Sequence, residues 1–420
     1  MKILIVNTND SFGGAARAAF RLHRALLMEG VESRMLVQDK RSDDYTIEWV
    51  GATKVDKAMA LIRPAIDGLP VQLYKKRSKS LFSPAWLYSR KTVQRINCIQ
   101  PDITHLHWIN GGMLRIEDLS RIKSPIVWSL HDMWAFTGGC HYNKDCNKYL
   151  KICGACKELN STNNKDLSYK IFVRKQKAYP LINQIYFNSL SGWLHNKAKA
   201  SYLLNSQHHT NLPNPIDASE FKPFDRNEAR KLWNLPKNKK FILFGAINPL
   251  SDSRKGFNQL FESLSELENH RKDIELLIFG SSQSNNHSWD FRFKTHYLGH
   301  LQDNISLTTL YNAADIMVVP SLQENLSNAI MESLSCGTPV ACFNIGGNSD
   351  MVEHRGNGYL AKPFSAKDLA KGIEWVLDHP NYNELRKRAR TKIEREFDSR
   401  IVASKYIELY KEILSSPPLP

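Results

Sequence analysis

Short apolar runs recur along the chain, each halted by a polar turn and followed by a segment with helical spacing of its apolar positions. Ile316 to Val319 (IMVV) is the clearest: an apolar run stopped by Pro320 and Ser321, which predicts a buried strand. Leu326 to Ser335 is rich in helix formers and carries an apolar face. Gly337, with Pro339 two places on, ends that helix, and Val340 to Phe343 begins the next strand. A strand, a helix and a second strand in this order predict a parallel sheet. The intervening turn then lies at the C-terminal edge of a strand, where such sheets bind ligands.

The same alternation runs through the rest of the sequence. Further strands are predicted at Lys2 to Asn7, Val31 to Gln38, Ile103 to Trp108, Pro125 to Leu130, Ile185 to Leu190, Phe241 to Ala246, Ile274 to Gly280 and Thr295 to Leu298. Helices are predicted at Ala15 to Met28, over SGWLHNKAKASYLL, towards Glu268, and at Lys367 to Leu377. A long charged helix from Asn381 to Ser415 is ended by Pro417 and Pro418. The fold class is therefore α/β. The chain's 420 residues exceed one ordinary core and suit two domains of about 200 residues each. LPNPIDASEFKP (Leu212 to Pro223) is proline-rich and not helical, and it reads as the connection between them.

Composition adds a charge argument. The formal net charge is +15 and the pI about 9.4, which calls for an anionic partner: nucleic acid, anionic lipid or phosphorylated small molecules. Nucleic acid is the weakest of these, because no binding motif accompanies the charge. No apolar run reaches the length of a membrane span, and MKILIVNTND turns polar too early for a signal peptide, so a cytoplasmic location is expected. Between Lys54 and Arg95 ten cations face only Asp56 and Asp67, with Leu69, Leu73, Tyr74, Leu81, Phe82, Trp86 and Tyr88 interleaved. Such a stretch suits docking on anionic headgroups at the inner face of a membrane. The alternative is a helical insertion whose aromatics fill the core and whose lysines are merely solvated.

Candidate chemistry concentrates at predicted strand ends. Glu324 sits in the turn after Val319, and Glu332 stands two helical turns further on. The backbone N–H groups of Asn325, Leu326 and Ser327 lie near the predicted helix start, where unsatisfied donors and the helix dipole favour a phosphate. One carboxylate beside an anion site and another along the helix suit a sugar nucleotide, although two isolated glutamates are more often solvated helix carboxylates. Arg254 and Lys255 precede a predicted helix, as a diphosphate clamp would require, although an isolated pair of this kind is more often surface charge. Gly245, ending a strand, allows close backbone approach, and Gly13-Gly14 makes a tight turn before a helix without the dinucleotide-binding spacing. His131 follows a strand, while His105 and His107 lie in ITHLHW and read as supports of the sheet edge or acceptor side. Cys140, Cys146, Cys153 and Cys156 form a C-x5-C-x6-C-x2-C array, which suits a structural zinc or four free thiols.

PSLQE, NAIMESLSCGTPV and the following glycine pair closely resemble the donor-site signature of retaining glycosyltransferases of family 4, with Ser327 where that family usually has proline. LHDMWAFTGGCH resembles the family's histidine-bearing loop, and the cysteine array resembles loops in its bacterial exopolysaccharide and O-antigen (colanic-acid-type) branch. The resemblance implies the GT-B arrangement, two Rossmann-like domains facing each other across a cleft. Residues 1–215 would be the acceptor domain and residues 216–395 the donor domain, with residues 396–420 crossing back. It implies transfer of a hexosyl group, with retention, from a nucleotide-diphosphate sugar to a saccharide or lipid-linked saccharide in capsule, exopolysaccharide or O-antigen assembly. Glu324 would position the sugar, Glu332 the ribose, and His131 would contact the sugar. Arg254 and Lys255 would hold the diphosphate, Gly13 and Gly14 would approach the phosphates, and the loop from Gly299 would meet the base. The family has a Gly-Arg pair after the strand where this chain has Gly245-Ala246, so the arginine is displaced to Arg254. No D-x-D pair is present, so no catalytic metal is expected. The rival readings are a sugar-nucleotide epimerase of the same fold and a non-catalytic nucleotide- or nucleic-acid-binding protein.

Overall fold

A computed structural model describes residues 1–245, 252–280, 291–301 and 303–416. Ala246, the end of a predicted strand, and the stop at Pro417 and Pro418 lie outside the described residues. The chain divides into two compact units, Met1–Pro215 with the chain from Val402 onward, and Ile216–Ile401.

Among the described residues, unit 1 is built on a seven-stranded parallel sheet: β1 (Lys2–Asn9), β2 (Glu32–Asp39), β3 (Ile47–Trp49), β4 (Ile103–Leu106), β5 (Ile126–Leu130), β6 (Ile185–Ser189) and β7 (His208–Asn211), in the order β3-β2-β1-β4-β5-β6-β7. The centre of β1 is buried on both faces, which is why its sequence is continuously apolar instead of alternating. Ile3 to Val6 are fully buried, each aliphatic side chain contributing roughly 2 kcal/mol of transfer free energy. One face of the sheet is covered by Gly14–Met28 and by the last helix, Ser399–Ser415, whose Val402, Ala403, Tyr406, Tyr410 and Ile413 pack with Ile3, Ile5 and Val127. Tyr410 Oη lies 2.6 Å from His105 Nδ1, His105 Nε2 lies 2.8 Å from Ser129 Oγ, and Asn188 donates to Tyr406 Oη at 2.8 Å. Every polar member of this buried chain is paired, which avoids the penalty of an orphaned donor.

Unit 2 carries six described strands: β8 (Lys240–Gly245), β9 (Ile274–Phe279), β10 (Thr295–Tyr297), β11 (Ile316–Val319), β12 (Val340–Phe343) and β13 (Gly358–Ala361), ordered β10-β9-β8-β11-β12-β13 and all parallel. In each unit the strand order reverses once, between β1 and β4 and between β8 and β11. These are the two places where loops diverge and leave a crevice at the strands' C-terminal edge.

Several predicted boundaries move. The helix read from Leu326 begins at Asn328, because residues 320–327 stay non-helical around Glu324. The strand read to Trp108 stops at Leu106: the His107 N–H still bonds Val6 O, but the Trp108 N–H is taken by the Asn7 side chain. His105 and His107 are wholly buried inside and just past a central strand, not at a sheet edge. The long C-terminal helix is two helices, Tyr382–Glu396 and Ser399–Ser415. They are broken where Phe397 O and the Ser399 N–H pair with the Ile216 backbone. Between Lys54 and Arg95 the chain forms the helix Lys54–Gln72, an irregular segment and the start of Arg90–Ile99. Of its interleaved residues Phe82 is buried and Tyr74 half-buried, while Leu69, Leu73, Leu81, Trp86 and Tyr88 are exposed.

Candidate functional site

In unit 2 the loops leaving β8 and β11 meet at the switch point. Lys255 ends a short 3-10 turn, Ser253–Lys255, and Glu324 lies in the turn after β11; Lys255 Nζ donates to Glu324 Oε2 at 2.9 Å. Arg254 stands alongside, donating to Asp252 Oδ2 at 2.9 Å and to Gln323 O at 3.3 Å, while its own carbonyl accepts the Leu322 N–H at 2.8 Å. Burial alone would push the Glu324 carboxyl up. The Lys255 and Arg254 charges, with hydrogen bonds from Lys255 and from the Asn325 N–H, outweigh burial and hold it below the usual carboxylate range.

Two glycines make this crossing of loops possible. A Cβ on Gly256 would lie 1.8 Å from Pro320 O, and one on Gly346 would lie 1.8 Å from Glu324 O; both residues also have positive φ (69° and 56°). No other residue allows backbones so close. Gly346 belongs to the glycine pair that follows NAIMESLSCGTPV, so that part of the signature is a packing requirement on the Glu324 turn.

Glu332 is buried on the helix Asn328–Ser335, where it accepts from Tyr311 Oη at 2.9 Å. Asn325, Leu326 and Ser327 are buried ahead of that helix, with Ser327 at its N-cap. Gly245 ends β8, and the group its missing side chain admits is the Phe279 ring, 2.1 Å from where a Cβ would stand. Gly299 follows β10, its carbonyl accepting the Gly280 N–H at 2.7 Å.

In unit 1, Gly13 caps the helix Gly14–Met28 after β1, and His107 and His131 follow β4 and β5. His107 Nδ1 lies 2.9 Å from His131 Nε2. Burial depresses both rings, His131 to about 4 and His107 well below its ordinary value, so near neutral pH both are uncharged and one donates to the other. His107 Nε2 and Asn110 Oδ1 are buried with no partner among the described residues, and both residues line a cavity of about 10 Å³ with Trp128, His131 and Asp132. Its size and polarity suit a single ordered water. Sequence reading placed His107 at the strand end but had no signal for Asn110.

Behind His131, Asp132 Oδ2 accepts from His141 Nδ1 at 2.7 Å, and His141 Nε2 lies 2.8 Å from Ser83 Oγ. The connectivity is that of a nucleophilic triad, but Ser83 and His141 are buried and Ser83 does not line the cavity. The chain instead fastens the His131 loop to the insertion. Lys175 does the same from the other side: its buried ammonium donates to the carbonyls of Trp134 and Thr137 and lies 3.8 Å from the Trp134 ring centroid. Burial lowers Lys175 to about 7. Asp132 and His141 stand in LHDMWAFTGGCH, whereas Ser83 and Lys175 had no signal in the sequence.

The cysteine loop lies beside them. Cys140, Cys146, Cys153 and Cys156 are free thiols. Burial pushes Cys153 up to about 12 and raises Cys140 and Cys156, and neighbouring thiols of the set add to each rise. Among the described residues no three His, Cys, Asp or Glu side chains are gathered as a metal site would need.

Two Rossmann-like parallel-sheet units, with paired charges at one switch point and a histidine pair at the other, define a two-domain α/β protein of the GT-B class. Residues 225–395, which lie in unit 2, match the family Glycosyl transferases group 1. Protein CapJ of Staphylococcus aureus is 29% identical over 178 residues, 40% of this chain and 44% of CapJ. The capsular polysaccharide biosynthesis glycosyltransferase CapM of the same species is 24% identical over 209 residues, 48% of this chain and 53% of CapM. Sucrose-phosphate synthase of Thermosynechococcus elongatus superposes with a TM-score of 0.70 at 16% identity, over 99% of this chain and 100% of that one. Anabaena HepE, solved in complex with UDP-glucose, superposes with a TM-score of 0.62 at 15% identity, over 98% of this chain and 100% of HepE. The chain spans about half or less of the length of the curated relatives it matches.

Proposed function

We propose that the protein is a retaining glycosyltransferase of family 4, moving a hexosyl group from a nucleotide-diphosphate sugar to an acceptor hydroxyl. The reading is carried by the Lys255–Glu324 pair, set by two obligatory glycines at the β8/β11 switch point of a glycosyl transferases group 1 domain. In this reading a diphosphate takes the cations of Lys255 and Arg254, which frees Glu324 to accept from sugar hydroxyls. Glu332, steadied by Tyr311, serves the ribose, and the N–H groups of Asn325, Leu326 and Ser327 serve phosphate. Gly245 and Gly299 belong to the loops around the nucleotide. In unit 1, Gly13 and Gly14 serve the phosphates and acceptor and His131 the transferred sugar, with His107 fixing its ring. Charge leaving with the diphosphate is stabilised by fixed cations. The acceptor attacks from the face the diphosphate leaves, which preserves the anomeric configuration. The likeness to the capsular polysaccharide biosynthesis glycosyltransferase CapM favours surface-polysaccharide assembly, and the reading takes a lipid-linked oligosaccharide as acceptor.

A thermal-shift panel of UDP-, GDP- and ADP-sugars tests this first. UDP-sugars lead the panel because HepE was solved with UDP-glucose. A donor held at a hundred times its Kd should add about 2.7 kcal/mol of stability, a rise of several degrees. A flat response to every nucleotide sugar would remove the proposal's basis. Conversion of a bound sugar without acceptor would turn it into an epimerase.

For the cysteine loop we propose a structural zinc held by Cys140, Cys146, Cys153 and Cys156, which must draw the four thiols closer than they stand here, where no three of them are gathered. Burial, and after it the neighbouring thiols, favours the protonated form of Cys140, Cys153 and Cys156, and a bound divalent cation would favour the thiolates instead. Elemental analysis of purified protein is expected to give about one zinc per chain. A folded, metal-free protein with four alkylatable thiols would dismiss it.

A further inference from the structure

The helix Lys54–Gln72 turns its apolar stripe outward. Its buried positions are Ala60, Asp67 and Val71. Polar bonds hold that side to unit 1: Arg63 Nε donates to Gly112 O at 2.7 Å, its second guanidinium nitrogen to Tyr88 O at 3.0 Å, and the Asp67 carboxylate accepts the Trp86 N–H at 3.1 Å. On the opposite side Val55, Met59, Ile62, Ile66 and Leu69 follow one another at intervals of four, three, four and three residues, and Leu73 continues the series just past the helix end. That spacing keeps all six on a single face. Val55 is 71% exposed, Ile62 48%, Leu69 50% and Leu73 82%. A rigidly anchored helix with such a face is built to be covered.

The surrounding charge says by what. Lys54 and Lys57 are exposed at the start of the stripe, and Lys75, Lys76, Arg77 and Lys79 are exposed just past its end. The acidic residues of the helix do not offset them: Asp67 is buried, and Asp56 is paired with Lys91 at 2.5 Å. Trp86 is 42% exposed and tied to the helix through its indole N–H to Asp67 O, and Tyr88 is 47% exposed. An apolar stripe flanked by snorkelling lysines and amphipathic aromatics matches the headgroup–acyl boundary of an anionic bilayer. No helix of the described residues is long and apolar enough to cross a membrane.

We infer that the outward stripe of the helix Lys54–Gln72 lies in the surface of an anionic bilayer, with Lys75, Lys76, Arg77 and Lys79 on the headgroups. The sequence pointed to the basic stretch; the structure assigns the inserted face. The inference does not rest on the proposed sugar chemistry, and its test contains no nucleotide.

The experiment is flotation of the full chain with vesicles of phosphatidylcholine containing phosphatidylglycerol, against vesicles of phosphatidylcholine alone. Wild type is expected to float with the anionic vesicles and to be released by salt. The double variant I62S/L69S, at two exposed positions, should keep its Tm and lose at least about tenfold in partitioning. Charge reversal of Lys75, Lys76, Arg77 and Lys79 to Glu should abolish binding to the anionic vesicles. Wild type that stays at the bottom of the gradient, or I62S/L69S that floats as well as wild type, overturns the inference. So does a wild-type dimer in size-exclusion chromatography that I62S/L69S dissolves while vesicles capture neither protein, because the stripe would then face a second copy of the chain.

Discussion

Lys255→Ala is expected to lower kcat about a hundredfold, on the order of 3 kcal/mol, with a smaller rise in KM. Breaking the bond to the sugar adds negative charge to the leaving diphosphate, so a cation touching it gains more in the transition state than in the bound donor. The structure adds a second consequence. Lys255 is the first of the charges that hold the Glu324 carboxyl down against burial. Without it that carboxyl rises, and the residual activity of the variant should fall off at a higher pH than that of wild type. Glu324→Ala should also act mainly on kcat, because a misplaced sugar loses its alignment with the acceptor. Glu332→Ala should instead raise KM, since the ribose is distant from the bond that breaks. Steady-state kinetics of the three variants, with the donor that the thermal-shift panel identifies, would measure all of this. A Lys255→Ala enzyme with unchanged kcat and weaker donor binding would reject the assigned role.

Unit 1 is expected to lose stability steeply between pH 6.5 and pH 4. His23 and His105 are buried in it and His131 is half-buried; burial depresses them to about 4, about 3 and about 4, from an ordinary 6.5. In the unfolded chain each takes a proton as the pH falls through 6.5, while in the folded unit each stays neutral until about 4 or below. The unfolded state therefore binds more protons across this window, and acidification favours it. These three alone bring the slope to about 4 kcal/mol per pH unit at the acid end of the window, and His107, also depressed by burial, adds to it. His23 gains Ser33 and Thr46 as hydrogen-bond partners, both at 2.8 Å; burial outweighs the Asp44 charge, which favours its protonation. Thermal melts from pH 7.5 to 4 would show the slope, and His23→Gln should flatten it by about one proton. A Tm unchanged down to pH 4.5 would contradict the argument.

Which strands the sequence revealed follows from where they lie. β1, β4, β5, β8, β9, β11 and β12 each have neighbours on both sides, and their apolar runs were plain. The strands that were missed, β3, β7 and β13, are all at sheet edges. His208–Asn211 reads HHTN, with no residue of the strand buried, and Ile47–Trp49 is only three residues long. An edge strand packs less and so leaves less of a pattern. Site residues divide in a similar way. Glu324 and Lys255 stood in motifs because their spacing to strand ends is local. Lys175 reaches Thr137, Ser83 reaches His141 and Tyr311 reaches Glu332 across 21 to 58 residues, and no local pattern records such a meeting.

The helix that closes one face of the unit 1 sheet comes from the far end of the chain. Ile3, Ile5 and Val127 emerge from the ribosome long before Val402, Tyr406 and Tyr410, which bury them. All of unit 2 is made in between and has its described strands first. Unit 1 is therefore the second to be finished, and until Val402 to Tyr410 have left the ribosome its sheet keeps an apolar face uncovered.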